Sequence, residues 1–181
     1  MHNRKECSKR SFINKYKLKK EILIVYGFDW GSSTDTPSLI YDFIDKNIKP
    51  IGLKYGMNIK FQKLSSKEGS IYCGICYAIQ KADIAIFDIS THNINVIFEL
   101  GLAIGSGVYV YILRSRHQSR LRNFLSDLSG ILEYRFTRKG GILIFDTNLE
   151  ERLKYKIRLI ARRKQKHPET YKKKIGVASN F

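Results

Sequence analysis

From Lys81 to Gly107 the chain reads Lys-Ala-Asp-Ile-Ala-Ile-Phe-Asp, then Ile-Ser-Thr-His-Asn-Ile-Asn, then Val-Ile-Phe-Glu-Leu-Gly-Leu-Ala-Ile-Gly-Ser-Gly. Residues 83 to 88 form an apolar run of strand length bounded by acids, and 89 to 95 form a polar loop rich in helix-capping residues. From Val96 to Ile104 every residue except Glu99 is apolar or glycine. A strand that is apolar throughout and a helix with no polar face both need shelter, which a layered sheet and helix domain provides. The spacing predicts Asn93 or Asn95 as the helix N-cap and a helix buried on most sides.

Glu99 is the exception in that helix. A buried, unpaired carboxylate costs several kcal/mol, roughly, so the group must be hydrogen-bonded, protonated through a raised pKa, or open to a ligand cavity. Two readings follow. In one, Glu99 sits in the first turns and only closes a cap or answers the helix dipole. In the other it is a reactive carboxylate at a loop-helix junction.

The rest of the chain supplies the layers. Glu21 to Gly27 is a continuous apolar strand that ends in glycine, followed by the loop 28 to 37. Pro37 suits the first turn of a helix carrying Leu39, Ile40, Phe43, Ile44 and Ile48, which Pro50 breaks or kinks. Asn58 to Leu64 alternates as a half-exposed strand, a helix follows at 69 to 81, and Val108 to Leu113 is another strand. A helix around 117 to 127, apolar runs at 131 to 136 and 142 to 145, and a helix at 149 to 164 complete the domain. This order predicts an α/β fold: a doubly wound, mainly parallel sheet of about five strands with helices on both faces.

In such sheets ligands bind beyond the carboxyl ends of the strands, where neighbouring connections leave for opposite faces, commonly between the first and third strands. The loops there are 28 to 37 and 89 to 95, and Glu99 follows the second within about one turn, so topology and the odd carboxylate point to one crevice. Gly27 ends the strand, Phe28 and Trp30 offer flat apolar walls, and Ser32, Ser33 and Thr34 offer hydroxyls. Asp29, Asp35 and Asp88 add carboxylates. Such a mixture suits a nucleoside or nucleotide. Asp88 can equally cap the next turn, Trp30 can simply pack over its loop, and His92 reads as a loop donor. Neither a Gly-Lys-Ser/Thr ending nor Gly-x-Gly-x-x-Gly occurs at 27 to 37, which removes the main support for an ATPase or a Rossmann dehydrogenase.

Composition bounds the rest. The 181 residues fit one domain with one core, and the net charge of +17 is unevenly spread. Residues 1 to 20 carry eight Lys/Arg against one acid, and 151 to 181 carry eleven against two, while 21 to 150 are nearly neutral. Such ends can touch nucleic acid, an anionic membrane or an acidic partner, though no basic motif interleaved with aromatics accompanies them. No apolar run long enough for a membrane span or signal peptide is present, so the expectation is a cytoplasmic chain. Cys73 and Cys76 have redox-pair spacing but fall inside a helix, and with Cys7 they make only three cysteines, so no metal site is expected.

Ala82 to Ser90, followed by Asn93-Ile-Asn-Val-Ile-Phe-Glu-Leu-Gly-Leu-Ala103, resembles the signature of the nucleoside 2-deoxyribosyltransferase-like and TIR-like families. Ser126-Asp127-Leu-Ser-Gly, with Tyr134 shortly after, resembles a downstream element of TIR-like nucleotide-binding proteins. The resemblance covers about residues 21 to 136. It implies a flavodoxin-like sheet; the element pattern and charge place the domain at 21–164, between a basic extension at 1–20 and a basic tail at 165–181. It also implies N-glycosidic bond chemistry with Glu99 as the catalytic carboxylate; where a leaving base needs protonation, Asp88 or Asp29 is the nearest acid. Deoxyribose transferases often carry an acid where this chain has Asn93, which favours the NAD⁺ hydrolase branch, many of whose members act in bacterial antiviral defence. NAD⁺ is then a substrate and not a cofactor. Gly27, Phe28, Asp29, Trp30, Ser32, Asn93, Asn95, Ser126 and Asp127 are the expected substrate contacts, and related enzymes often complete their sites across contacts between copies.

Overall fold

The computed structural model describes residues 20–29, 35–64, 71–117, 133–146 and 148–166. Strand β1 (Glu21–Gly27) leads to α1 (Thr36–Phe43), which passes through a π-helical stretch (Ile44–Ile48) into α2 (Lys49–Lys54). Then come β2 (Asn58–Lys63), α3 (Ile71–Lys81), β3 (Ile84–Asp88), α4 (Ile94–Gly105), β4 (Tyr109–Ser115), β5 (Glu133–Lys139), β6 (Ile142–Phe145) and α5 (Leu149–Lys166). The predicted 117 to 127 helix lies outside the described residues.

The sheet order is β2-β1-β3-β4-β5-β6. The first five strands are parallel in the 2-1-3-4-5 order of a flavodoxin-like sheet. The sixth strand, beyond the five expected, pairs antiparallel with β5. Gly140 and Gly141 allow it: both have positive φ, 57° and 73°, which a two-residue turn between tightly paired strands requires.

Strand alternation sorts the core into two layers. Ile22, Ile24 and Tyr26 of β1, with Ile84 and Ile86 of β3, face α1, the π stretch and α5. Val25, Ala85 and Phe87 face the other way, against Ile79 of α3 and Val96, Leu100 and Ala103 of α4. At the amino end of the sheet Lys164 fixes α5, its Nζ donating to the Glu21 carbonyl and to Asp83 Oδ2, each at 2.7 Å. The same Asp83 oxygen accepts the Leu23 N–H at 2.9 Å.

Two expectations change. Pro50 does not end the first helix. Its missing N–H and its ring are accommodated because the preceding turn widens: the Lys49 N–H reaches the Ile44 carbonyl, five residues back, and Asn47 Nδ2 donates to the Phe43 carbonyl. Nor is α4 buried on most sides. It forms an outer layer, with Ile94 66 % and Phe98 54 % exposed, because only its Val96, Leu100 and Ala103 face meets the sheet. Among the described residues no helix is long and apolar enough to cross a membrane.

Candidate functional site

The connections after β1 and β3 leave for opposite faces, so the carboxyl ends of these two adjacent parallel strands form the switch point. Gly27 ends β1 opposite Phe87. A Cβ at position 27 would lie 2.5 Å from the Phe87 ring and 2.9 Å from Glu99 Oε2, closer than such atoms can sit. Glycine is therefore what lets the Glu99 carboxylate come up against the β1 backbone.

Glu99 stands in the second turn of α4. The N-cap is Asn93, whose side chain accepts the Asn95 N–H at 2.9 Å. The capping explanation for Glu99 thus falls away. Its carboxyl is half-buried, and burial alone pushes its pKa up from 4.5 to about 7. No described residue offers it a hydrogen bond or ion pair, so none of them offsets the desolvation.

Asp88 ends β3 on the other face of the sheet, sharing the parity of Ile84 and Ile86. It is 8 % exposed. Burial raises its pKa, while the Ser90 N–H, which donates to Oδ1 at 2.9 Å, the Ser90 hydroxyl and the Arg138 charge oppose that rise. Ser90 is fixed in turn, its Oγ accepting the Ser115 N–H at 2.8 Å. Asp88 is therefore held rigidly by its own loop, as a turn cap would be, and it also faces a cavity.

That cavity, of about 340 Å³, runs along the carboxyl ends of β1, β3, β4 and β5. Phe28, Asp29 and Asp88 line its β1–β3 end. His117 and Arg138 line its β4–β5 end, Ser90, bonded to Ser115, lies between β3 and β4, and Thr36 lines the cavity from the start of α1. Two buried hydroxyls on this face, Tyr26 Oη and Thr36 Oγ1, find no hydrogen-bond partner among the described residues. Among the described residues no three or more His, Cys, Asp or Glu are grouped to hold a metal ion.

Of the residues expected to bind substrate, Phe28 and Asp29 line the cavity and Gly27 shapes the Glu99 approach. Phe28 is only 8 % exposed and stacks on Tyr26 at 5.0 Å, which leaves little of its ring for a ligand. Asn93 is already committed: while its oxygen caps α4, its Nδ2 donates to Asp29 Oδ1 at 2.9 Å. This amide links the cavity wall to the Glu99 helix and acts as scaffold. Asn95 is exposed and contributes its backbone N–H to the cap. Trp30, Ser32, Ser126 and Asp127 lie outside the described residues.

The single crevice expected from sequence is thus divided. Glu99 is absent from the cavity lining and reaches the β1 edge from the α4 face, whereas Asp88 and the cavity lie on the α1 face. Strand parity separates them, since Phe87 and Asp88 are neighbours that point to opposite sides. Sequence reasoning also missed Thr36, His117 and Arg138. The carboxyl-end rule, applied to β4 and β5 as well as to the switch strands, would have raised the last two.

No protein-family model matches the chain, and no curated protein matches it. Among solved structures it is similar to a point mutant of the flavo di-iron protein from Thermotoga maritima, with 16% identity and a TM-score of 0.42. The match covers 80% of this chain and spans 35% of that protein.

Proposed function

We propose that this chain binds a nucleotide or nucleoside across the carboxyl edge of β1 and β3 and cleaves its N-glycosidic bond, with NAD⁺ as the first substrate to test. The observation that carries the reading is the Glu99 carboxyl, desolvated to a pKa of about 7, without a described partner, and held against Gly27 at the switch point. A carboxylate left in that condition costs stability, and such costs gather where a group has chemical work. The resemblance of the Phe-Glu-Leu-Gly segment to N-glycosidases supports the same reading.

In the proposed reaction the bond between the ribose C1′ and the base nitrogen breaks, and the bonding pair leaves with the base. Positive charge develops on C1′, and ionised Glu99 stabilises it. Water then adds to C1′ and releases a proton. Nicotinamide leaves NAD⁺ as a neutral molecule and needs no acid, whereas an ordinary nucleobase needs protonation, for which Asp88 or Asp29 is the nearest candidate. Transfer to a second base in place of water would make the chain a deoxyribosyltransferase. A role in antiviral defence belongs to the NAD⁺ branch of the proposal, as does completion of the site by a second copy.

One observation favours a second reading, a sensor that binds nucleotide without turnover: Glu99 does not line the cavity. Incubating concentrated protein with NAD⁺, deoxynucleosides and their monophosphates, and following base release by chromatography, separates the two. Release of nicotinamide or a nucleobase supports the glycosidase. Stoichiometric binding without release makes the sensor the better account.

A further inference from the structure

The cavity is divided by charge. Its carboxylates, Asp29 and Asp88, stand at the ends of β1 and β3, and its basic side chains, His117 and Arg138, stand after β4 and on β5. Neighbouring strands are about 4.8 Å apart, so β3 and β5 are separated by ~10 Å. The hydrogen bonds of Asp88 come from Ser90, and Asp29 accepts from Asn93. Arg138 is exposed and lies near enough to Asp88 and Tyr26 for its charge to be felt at both.

Thr36, 1 % exposed, also lines the cavity, and its Oγ1 has no hydrogen-bond partner among the described residues. Buried hydroxyls are rarely left unpaired, so an orphan in a cavity wall points to a partner that arrives with a ligand. Thr36 and Pro37 begin α1, so the first turn of that helix forms part of the cavity wall.

Resting on the nucleotide reading above, we propose that the ligand is a 5′-phosphorylated nucleotide and not a free nucleoside. Its sugar lies over the ends of β1 and β3, where Asp29 and Asp88 can accept from ribose hydroxyls; Glu99 stands at the same strand ends on the opposite face. Its phosphate lies among Thr36, His117 and Arg138. The opposite orientation would set phosphate against two carboxylates and leave the basic end without an anion.

The test is calorimetric titration of the full chain at 0.15 M salt, which screens the basic ends, with the four deoxynucleosides, adenosine, their 5′-monophosphates and NAD⁺. A monophosphate is expected to bind at least about tenfold more tightly than its nucleoside, as one charge-assisted hydrogen bond provides. Arg138→Gln and Thr36→Val should each reduce that preference while leaving nucleoside affinity within about twofold. Thr36→Val keeps the side-chain shape and removes a hydroxyl that is unpaired, so folding should be undisturbed. Equal binding of nucleoside and monophosphate, or a preference unchanged in both variants, overturns this inference and leaves the glycosidase reading standing. Failure of every compound to bind overturns both.

Discussion

Replacing Glu99 with Gln removes a charge that the fold does not solvate, and the consequence is a pH-dependent gain in stability. The carboxyl titrates at about 7 in the folded chain against an ordinary value of 4.5. An acid whose pKa rises on folding binds its proton more tightly in the native state, so between 4.5 and about 7 the folded chain holds more protons than the unfolded one. Stability attributable to this group therefore falls as pH rises through that window, and the cost is complete above it. At about 1.36 kcal/mol per pH unit the full difference is about 3.4 kcal/mol. Because the carboxyl is only half-buried, solvent screening reduces this to about 1.5 kcal/mol. Urea unfolding of wild type and Glu99→Gln from about pH 5 to about pH 8.5 tests the point without any knowledge of substrate. The two should be nearly equal at the acid end, and the variant should be more stable by about 1.5 kcal/mol at the alkaline end, or ~3–6 °C in Tm. Asp88 shifts in the same direction, but it is common to both proteins and cancels. An offset that stays constant across the range would refute the reasoning, because Glu99 would then be as well solvated in the fold as outside it.

Three further outcomes follow from the geometry. Gly27→Ala drives a Cβ into the buried Phe87 ring at 2.5 Å and should cost ~1–3 kcal/mol, while its pH dependence of unfolding should shrink as Glu99 is pushed outward. Asn93→Ala loses the α4 cap together with the bond to Asp29 and should cost ~1–2 kcal/mol by thermal melt, whereas Asn93→Asp, which can still cap, should lose less. Lys164→Met leaves Asp83, 9 % exposed in its side chain, without its cation and should cost ~3–5 kcal/mol by urea unfolding; adding Asp83→Asn should recover part of that, since the Leu23 N–H keeps an acceptor.

The centre of the sheet was legible because β1 and β3 are largely buried on both faces and therefore read as unbroken apolar runs, Ile22 to Tyr26 and Ile84 to Phe87. β6 was harder, since it alternates on an exposed edge and is defined by the Gly140–Gly141 turn more than by its own residues. Glu99 stood out as the one acid in an apolar helix, and residue type narrowed the cap to Asn93 or Asn95, of which the structure uses Asn93. The exposure of α4 was not legible, because apolar residues on an outer face resemble those on an inner one until the packing partner is known. The two-sided site was also hidden. It depends on the parity of Phe87 and Asp88 across the sheet, and proximity along the chain conceals that. Arg138 reads as one more basic residue until β5 places it beside the ends of β3 and β4.

The most direct test of the central claim measures turnover and affinity together in Glu99→Gln. With concentrated protein and the nucleotide that wild type cleaves, base release should fall at least ~100-fold, as expected when a charge-stabilising group at the reacting centre is removed, while affinity for that nucleotide changes by less than about threefold. Release that survives the substitution, or its absence in concentrated wild type across NAD⁺ and the deoxynucleotides, would contradict the assignment of Glu99 to glycosidic bond cleavage.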